Sequence, residues 1–193
     1  MLRKTYDWII ELSASRRAPY ALAAVAFAES SFFPIPPDVM LVPMAVAQPR
    51  KAWFYASICT MASVAGGLLG YAIGALLYDT VGHWLIELYG YGAKIDEFRA
   101  LYQQWGAWII LIKGLTPIPY KLVTIASGLA GYDLFWFTVL SLVTRGVRFF
   151  AVAGILNWFG EPLKLLIERN LGLAASILLA FVVGGFVIVT FLV

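Results

Sequence analysis

The sequence predicts an all-α membrane protein made of two repeats of opposite orientation, each with a proline-broken helical hairpin followed by a crossing helix. Of its 193 residues, 62% are hydrophobic and 13% are charged, about half the charged share of a soluble domain. Some apolar segments are long enough to cross a bilayer and others are too short. A Pro-Ile-Pro triplet occurs in each half, at residues 34–36 and 117–119.

The bulk composition predicts a single membrane domain over residues 1–193. A soluble domain of this length has too little interior to bury so much apolar surface. There is one cysteine, Cys59, so no internal disulfide is expected. Residues 1–17 form an amphipathic segment of mixed charge without the pattern of a cleaved signal peptide, and we expect them to be cytoplasmic.

The first repeat covers residues 18–80. Its apolar stretch ends at the triplet after Phe33, and residues 39–48 form a second apolar stretch of only ten residues. Ten helical residues cannot cross a hydrocarbon layer of about 30 Å. Proline removes a backbone donor and disfavours helix in the residue before it. The pattern therefore predicts a re-entrant hairpin, followed by a crossing helix at residues 53–78.

The second repeat, residues 104–159, has the same order of segments. Residues 105–115 and 122–130 are short apolar stretches on either side of the second triplet, and residues 134–159 can span the bilayer. A last apolar segment, residues 171–193, carries no charge and predicts an ordinary transmembrane helix. The sequence thus predicts about three full transmembrane helices.

The distribution of basic residues predicts the orientation. Basic residues flank both ends of the first hairpin, whereas the loop at residues 79–104 is acidic, so the first hairpin should enter from the cytoplasm and the second from outside. If the first hairpin were a full crossing, Arg50 and Lys51 would lie outside. Inverted repeats with broken helices are the plan of many secondary transporters, whose sites lie near the membrane midplane.

Six charged residues are expected at membrane depth. Each costs roughly 2.5–3.5 kcal/mol at a helix centre, so they should be paired or face water. Glu29 and Asp38 flank the first tip. Lys113 and Lys121 flank the second tip, so the carboxylates and the lysines should face each other if the tips meet. Arg145 and Arg148 share a helix face. The surplus of positive charge predicts binding of an anionic group such as phosphate. The six are Glu29, Asp38, Lys113, Lys121, Arg145 and Arg148.

Other interpretations of these residues stay open. The six charges could instead form a salt-bridge lattice that holds the hairpins together, and Lys121 or Asp38 could extend to the membrane interface. Glu29 has apolar neighbours and is a candidate for proton coupling, because a desolvated carboxyl takes up a proton more readily than one in water. Gly66, Gly70 and Gly74 predict close helix packing.

The sequence predicts no catalytic residue, no metal site and no cofactor. His83 is the only histidine, and neither a second histidine nor a pair of cysteines is available to complete a metal site. No nucleophile and base occur at a supporting spacing, so we do not expect an enzyme. No nucleic-acid partner is expected either.

Several motifs resemble those of the DedA family, also called the VTT or SNARE-associated family. The segment Glu29-Ser-Ser-Phe-Phe-Pro-Ile-Pro-Pro-Asp38 is similar to its first signature, and Gly66 to Gly74 to its Gly-x-x-x-Gly-Tyr segment. Lys113 and Lys121 lie where the family has a basic residue and an arginine around a proline, with Pro-Tyr-Lys here replacing Pro-Gly-x-Arg. Ser127-Gly128 and Asn157 to Gly160 resemble later features. The resemblance covers about residues 20–160 and is greatest to the YqaA-like branch.

The resemblance implies a multi-pass protein of the bacterial inner membrane that handles lipids. It implies a flippase or scramblase for undecaprenyl phosphate or a phospholipid, with protons as a candidate coupling partner. Lys113, Lys121, Arg145 and Arg148 would bind the phosphate, and Glu29 and Asp38 would pair with them or carry protons. Pro34, Pro36, Pro117 and Pro119 would form the hairpin tips. Two other functions stay open: a proton-coupled exporter of small ions or drugs, and a scaffold that transports nothing. A homo-oligomer also stays open.

Overall fold

The computed structural model describes residues 15, 17–32, 36–78, 92–115 and 119–158. Within these ranges the chain is entirely helical and contains no strand, which confirms the all-α prediction for this part of the protein. A 3₁₀ turn, Pro49–Lys51, connects the second helix to the third. The helices are α1 (Ala18–Ser31), α2 (Asp38–Ala47), α3 (Ala52–Leu77), α4 (Gly92–Leu115), α5 (Tyr120–Leu129) and α6 (Leu134–Trp158).

Two helical segments are long and apolar enough to cross a membrane. They are Pro49–Leu77, which contains α3, and α6. At 1.5 Å per residue, the 25 residues of α6 exceed the roughly 30 Å of a hydrocarbon core. Only 39% and 33% of their most apolar stretches are buried inside the protein, whereas a core helix of a soluble protein is mostly buried. By contrast, α1 and α2 have 14 and 10 residues.

Prolines determine where the short helices begin. Pro19 lies in the first turn of α1. Backbone N–H groups in the first turn have no acceptor within the helix, so the N–H that proline lacks costs no hydrogen bond. Pro37 directly precedes α2 and Pro119 directly precedes α5. Of the predicted hairpin tips, Pro36 and Pro119 lie within the described residues, whereas Pro34 and Pro117 lie outside them.

The connection from α5 to α6 is tightly defined. Gly131 has a φ of 63°, a conformation that glycine adopts without steric cost. The N–H of Tyr132 donates to the carbonyl of Ser127 at 3.0 Å, as in the motif that ends many helices. Asp133 then caps α6 by accepting from the N–H of Trp136 at 2.9 Å. The ends of these two helices are therefore specified by local chemistry.

The central helix α3 packs against α1, α5 and α6. A Cβ added to Gly66 would overlap the carbonyl oxygen of Phe27 on α1, and one added to Gly74 would overlap the carbonyl oxygen of Ile125 on α5. Gly128 on α5 has the same relation to the carbonyl oxygen of Tyr71 on α3. Backbone approaches backbone at each of these places, as small residues allow in helix pairs.

The buried apolar residues form two clusters. The first joins α1, α2, α3 and α6 and includes Leu22, Cys59 and Phe149. The second joins α4, α5 and α6 and includes Tyr120 and Phe137. Helix α6 contributes to both, so it connects the first half of the chain to the second.

Helix α4 begins at Gly92, well before residue 104, where the sequence placed the start of the second repeat. The composition of the residues before 104, which include Asp96, Glu97 and Arg99, predicts a polar loop. Asp96 and Glu97 are exposed in the structure, whereas Tyr102 is buried. An amphipathic helix has this distribution.

Several predicted features lie outside the described residues. These are most of the amphipathic segment 1–17, His83 and the helix predicted at residues 171–193.

Candidate functional site

A buried ion pair joins α6 to α1. Nη2 of Arg145 lies 2.9 Å from Oε2 of Glu29. Arg145 is 0% exposed and Glu29 is 8% exposed. A charge in such a position is tolerated when it is paired and hydrogen-bonded. These two residues come from opposite halves of the chain, so the pair connects the predicted repeats.

Two buried serines make a second connection between the same two charged groups. Nε of Arg145 donates to Oγ of Ser63 on α3 at 2.6 Å. The hydroxyls of Ser63 and Ser30 lie 2.6 Å apart, and Ser30 donates to Oε2 of Glu29 at 3.2 Å. Because a hydroxyl has one proton and Ser30 uses its own toward Glu29, Ser63 donates to Ser30. The bonds therefore run in one direction, from Arg145 through Ser63 and Ser30 to Glu29.

Replacing Ser63 with alanine is expected to lower the free energy of unfolding by about 1–3 kcal/mol, because Nε of a fully buried guanidinium loses its acceptor. Thermal unfolding of the purified protein in detergent would measure the change. Ser57→Ala is the matched control, since Ser57 is an exposed serine of the same helix that donates to the carbonyl of Trp53. Equal stability of the two variants would contradict the role given to Ser63.

A second ion pair joins α6 to α2. Nη2 of Arg148 lies 2.6 Å from Oδ2 of Asp38, and the two side chains are 24% and 20% exposed. Asp38 is the first residue of α2, where a negative charge interacts favourably with the helix dipole. Since Arg145 and Arg148 are three residues apart on α6, one face of this helix forms ion pairs with both α1 and α2.

One nitrogen of the buried arginine has no hydrogen-bond partner. Nη1 of Arg145 is buried and unsatisfied. Cζ of this residue lies 4.6 Å from the ring centroid of Tyr120 and 4.8 Å from that of Phe149. The guanidinium thus contacts one ring from each apolar cluster, and Tyr120 also hydrogen-bonds to Ser141. A buried donor without a partner is costly, so a hydrogen-bond acceptor next to Nη1 of Arg145 would be favourable.

The structure brings four of the six predicted charges together, but with partners other than those expected. The carboxylates of α1 and α2 contact Arg145 and Arg148 on α6. The reason is that α6 presents its two arginines, three residues apart, to the carboxylates of α1 and α2. Lys121 lies half-buried in the first turn of α5, and Lys113 is exposed near the end of α4.

Three residues of this centre were missed by sequence reasoning: Ser30, Ser63 and Tyr120. Serine is common in apolar helices and carries no charge that would single it out. The available signals were indirect, since Ser30 directly follows Glu29, Ser63 lies one turn before Gly66, and Tyr120 stands between Pro119 and Lys121. In the described part of the chain, no group of three His, Cys, Asp or Glu residues could hold a metal ion.

The described fold and site define a helical protein with two potential membrane-crossing helices around a buried charged centre. The chain belongs to the same family as an uncharacterized protein of Haemophilus influenzae, to which it is 35% identical over 184 residues, 95% of each chain. It is also 32% identical over 166 residues to an uncharacterized protein of Histophilus somni, covering 86% of each chain. No protein-family model and no solved structure matches the chain.

Proposed function

We propose that the protein is an integral membrane transporter that moves an anionic lipid across the bacterial inner membrane as a flippase or scramblase. The observation that carries this proposal is the buried charged centre. Two arginines and two carboxylates meet between helices of different halves, and one guanidinium nitrogen still lacks an acceptor. Ionisable groups inside a membrane protein usually mark a substrate or proton pathway.

The distribution of side chains supports insertion in a membrane. Arg145, Ser63 and Ser141 are 0% exposed, whereas Met61 is 64% exposed and Phe135 67% exposed. Large exposed apolar side chains together with a fully buried arginine are unusual in a soluble protein. Apolar side chains on the outer faces of α3 and α6 would contact lipid, and the polar groups would be shielded by protein.

The order of the helices supports two repeats with re-entrant hairpins. Two helices separated by a proline break precede a long helix in each half. Each helix of the first half has a counterpart in the second half: α4 corresponds to α1, α5 to α2 and α6 to α3. The last residues of α1 and α4, and both the first and the last residues of the other two pairs, lie 81–84 positions apart. This spacing is close to the 83 positions between Pro34 and Pro117. We propose that the hairpins enter from opposite sides, with the N-terminus in the cytoplasm and residues 171–193 as a further membrane helix.

The choice of an anionic lipid as substrate rests on charge and on resemblance. Glu29 and Asp38 match the charges of Arg145 and Arg148, and Nη1 of the buried Arg145 has no hydrogen-bond partner. A phosphate group would be attracted to such a centre. The resemblance to the DedA family supports undecaprenyl phosphate or a phospholipid as its carrier. No cofactor and no enzymatic step form part of this proposal.

A proton-coupled exporter of small ions or drugs is the second candidate. The observation that favours it is Glu29, a buried carboxylate held between Arg145 and Ser30. Carboxylates in the interior of membrane proteins occur in ion pathways and proton relays. In this case protons or ions would cross the membrane and lipid would not.

Reconstitution in proteoliposomes tests the proposal. Fluorescent phosphatidylglycerol and a polyprenyl phosphate should move between leaflets in the presence of the wild-type protein. Lys121→Ala is expected to slow this movement roughly tenfold or more, as loss of a charge-assisted contact would. Lys51→Ala is the control, because Lys51 is exposed in the 3₁₀ turn, and it should leave the rate unchanged. Ion flux without lipid movement would favour the exporter. The absence of both activities would favour a scaffold.

A further inference from the structure

The two short helices α2 and α5 are attached to the rest of the protein in different ways, and α5 is attached through backbone atoms. A Cβ added to Gly74 of α3 would overlap the carbonyl oxygen of Ile125 on α5. The hydroxyl of Thr124 on α5 donates to the carbonyl oxygen of Ser30 on α1 at 3.2 Å. Helices α1, α3 and α5 therefore form one closely packed unit.

Helix α2 meets α6 through apolar side chains and not through a glycine contact. At the place on α6 that corresponds to Gly74, 82–83 positions further along the chain, the residues are Leu156 and Asn157. Side chains of this size keep the backbones of two helices apart. Leu41 and Met44 of α2 lie fully buried in the apolar cluster that includes residues of α6. The contact between α2 and α6 is thus looser than that between α5 and α3.

The two ends of α2 are held by different polar contacts. Among the described residues, the ion pair of Asp38 with Arg148 is the only hydrogen bond or ion pair between α2 and another helix. The 3₁₀ turn that follows α2 is bonded to the end of α6. With its amide oriented to satisfy both neighbours, Asn157 donates to the carbonyl oxygen of Pro49 at 3.1 Å and accepts from Nε1 of Trp53 at 3.2 Å. One end of α2 is therefore tied by its backbone, whereas the other is held by one pair of side chains.

The composition of α2 lowers the cost of moving it within a membrane. Every residue of this helix except Asp38 is apolar, and lipid chains solvate apolar side chains about as well as other helices do. Pro43, inside α2, lacks the N–H that would bond to the carbonyl oxygen of Val39, so the helix bends more easily there. Moving α5 would instead separate Thr124 from its acceptor on α1.

We propose that α2 is a gate, which swings about the turn Pro49–Lys51 when Asp38 releases Arg148, while α1, α3 and α5 stay in place. The ion pair is the latch of this gate. Its side chains are 24% and 20% exposed, so water can reach and separate them. The movement of α2 does not rest on the proposed function. The further step, that the open gate admits a lipid to the charged centre, does rest on it.

The single cysteine of the chain, Cys59, reports on the position of α2. It is fully buried on α3, in the cluster that contains Leu41 and Met44, and lies within electrostatic range of Asp38 and Arg148. Opening of α2 should expose its thiol to N-ethylmaleimide. Mass spectrometry of the full chain in dodecyl maltoside would measure the labelling rate. Asp38→Asn should raise this rate about tenfold or more, as loss of a charge-assisted contact would. The charge-exchanged variant, Asp38→Arg with Arg148→Asp, should bring it back toward that of the wild type.

Asp133→Ala is the matched control for a loss of stability as such. Asp133 is an exposed acid that caps α6 by accepting from the N–H of Trp136, so its removal destabilises the protein away from α2 and should leave the labelling rate unchanged. Equal acceleration in Asp133→Ala and Asp38→Asn would mean that Cys59 is exposed by global unfolding, which overturns the gate. An unchanged rate in Asp38→Asn also overturns it. If Asp38→Asn fails to fold, Arg148→Gln takes its place.

The lipid assay separates the gate from the proposed function. Faster labelling in Asp38→Asn, with no lipid movement by the wild type, supports α2 as the moving helix and overturns the transporter. Lipid movement by the wild type, with labelling of Cys59 unchanged in Asp38→Asn, overturns the gate and leaves the transporter standing.

Discussion

Replacing Arg145 with methionine is expected to lower the free energy of unfolding by about 3–5 kcal/mol, because Glu29 is left as an uncompensated charge in the interior. Methionine keeps much of the length of the side chain and removes its charge and its donors. The loss includes the bond to Ser63 and the contacts with Tyr120 and Phe149. Unfolding in detergent against increasing denaturant would measure it.

The second half of this test is the double variant Glu29→Gln with Arg145→Met. A buried ion pair can often be replaced by neutral groups with little loss of stability, so the double variant should recover most of what the single variant loses. Both variants should lose lipid movement, since the charged centre is gone. Arg99→Met is a control, because this arginine of α4 is only partly buried and lies over Tyr78. If the double variant is no more stable than Arg145→Met, the unpaired carboxylate is not the cause of the loss.

Reversal of one charge of the other ion pair is expected to affect both stability and lipid movement. Asp38→Arg brings a guanidinium against Arg148, and we expect a loss of about 1–2 kcal/mol together with reduced lipid movement. The loss is smaller than at Arg145 because these side chains are 24% and 20% exposed, and water screens part of the repulsion. Thermal unfolding and the proteoliposome assay would measure the two effects.

The charge-exchanged variant, Asp38→Arg with Arg148→Asp, should recover the ion pair. Recovery of stability should be incomplete, because the exchange places a positive charge at the first residue of α2, where the helix dipole opposes it. A single Asp38→Asn change separates the two effects, since it removes the charge without reversing it. Stability equal to that of the wild type in Asp38→Arg would mean that this ion pair does not hold α2 against α6.

The large features of the fold could be predicted from the sequence because they follow from local rules. The breaks before Pro37 and Pro119 follow from the missing N–H of proline, and the long apolar stretches follow from the thickness of a bilayer. The start of α4 could not be placed, because its first turns are polar and resemble a loop in composition. A helix of this kind is recognised by one buried face, and Tyr102 alone was a weak sign of it.

The membership of the charged centre could be predicted, but its pairing could not. A charge inside an apolar stretch needs a partner, which singled out Glu29, Asp38 and the two arginines, but also Lys113 and Lys121, which lie outside the two ion pairs. Which partner each one meets depends on how α6 lies beside the first hairpin, a contact between residues more than a hundred positions apart. Ser63 and Tyr120 were missed for the same reason, since only their neighbours in space give them a role.

The two serines have a consequence for how the site can exchange its counter-ion. Arg145 is joined to Glu29 directly through Nη2 and also through Nε, Ser63 and Ser30. On the proposed function, a ligand anion that displaced the carboxylate from Nη2 would break only the first of these connections. The guanidinium then remains bonded to α3, and Ser30 still links α1 to the same chain of hydroxyls. In the proposed transporter, the negative charge of a ligand would therefore replace that of Glu29 without separating α6 from α1.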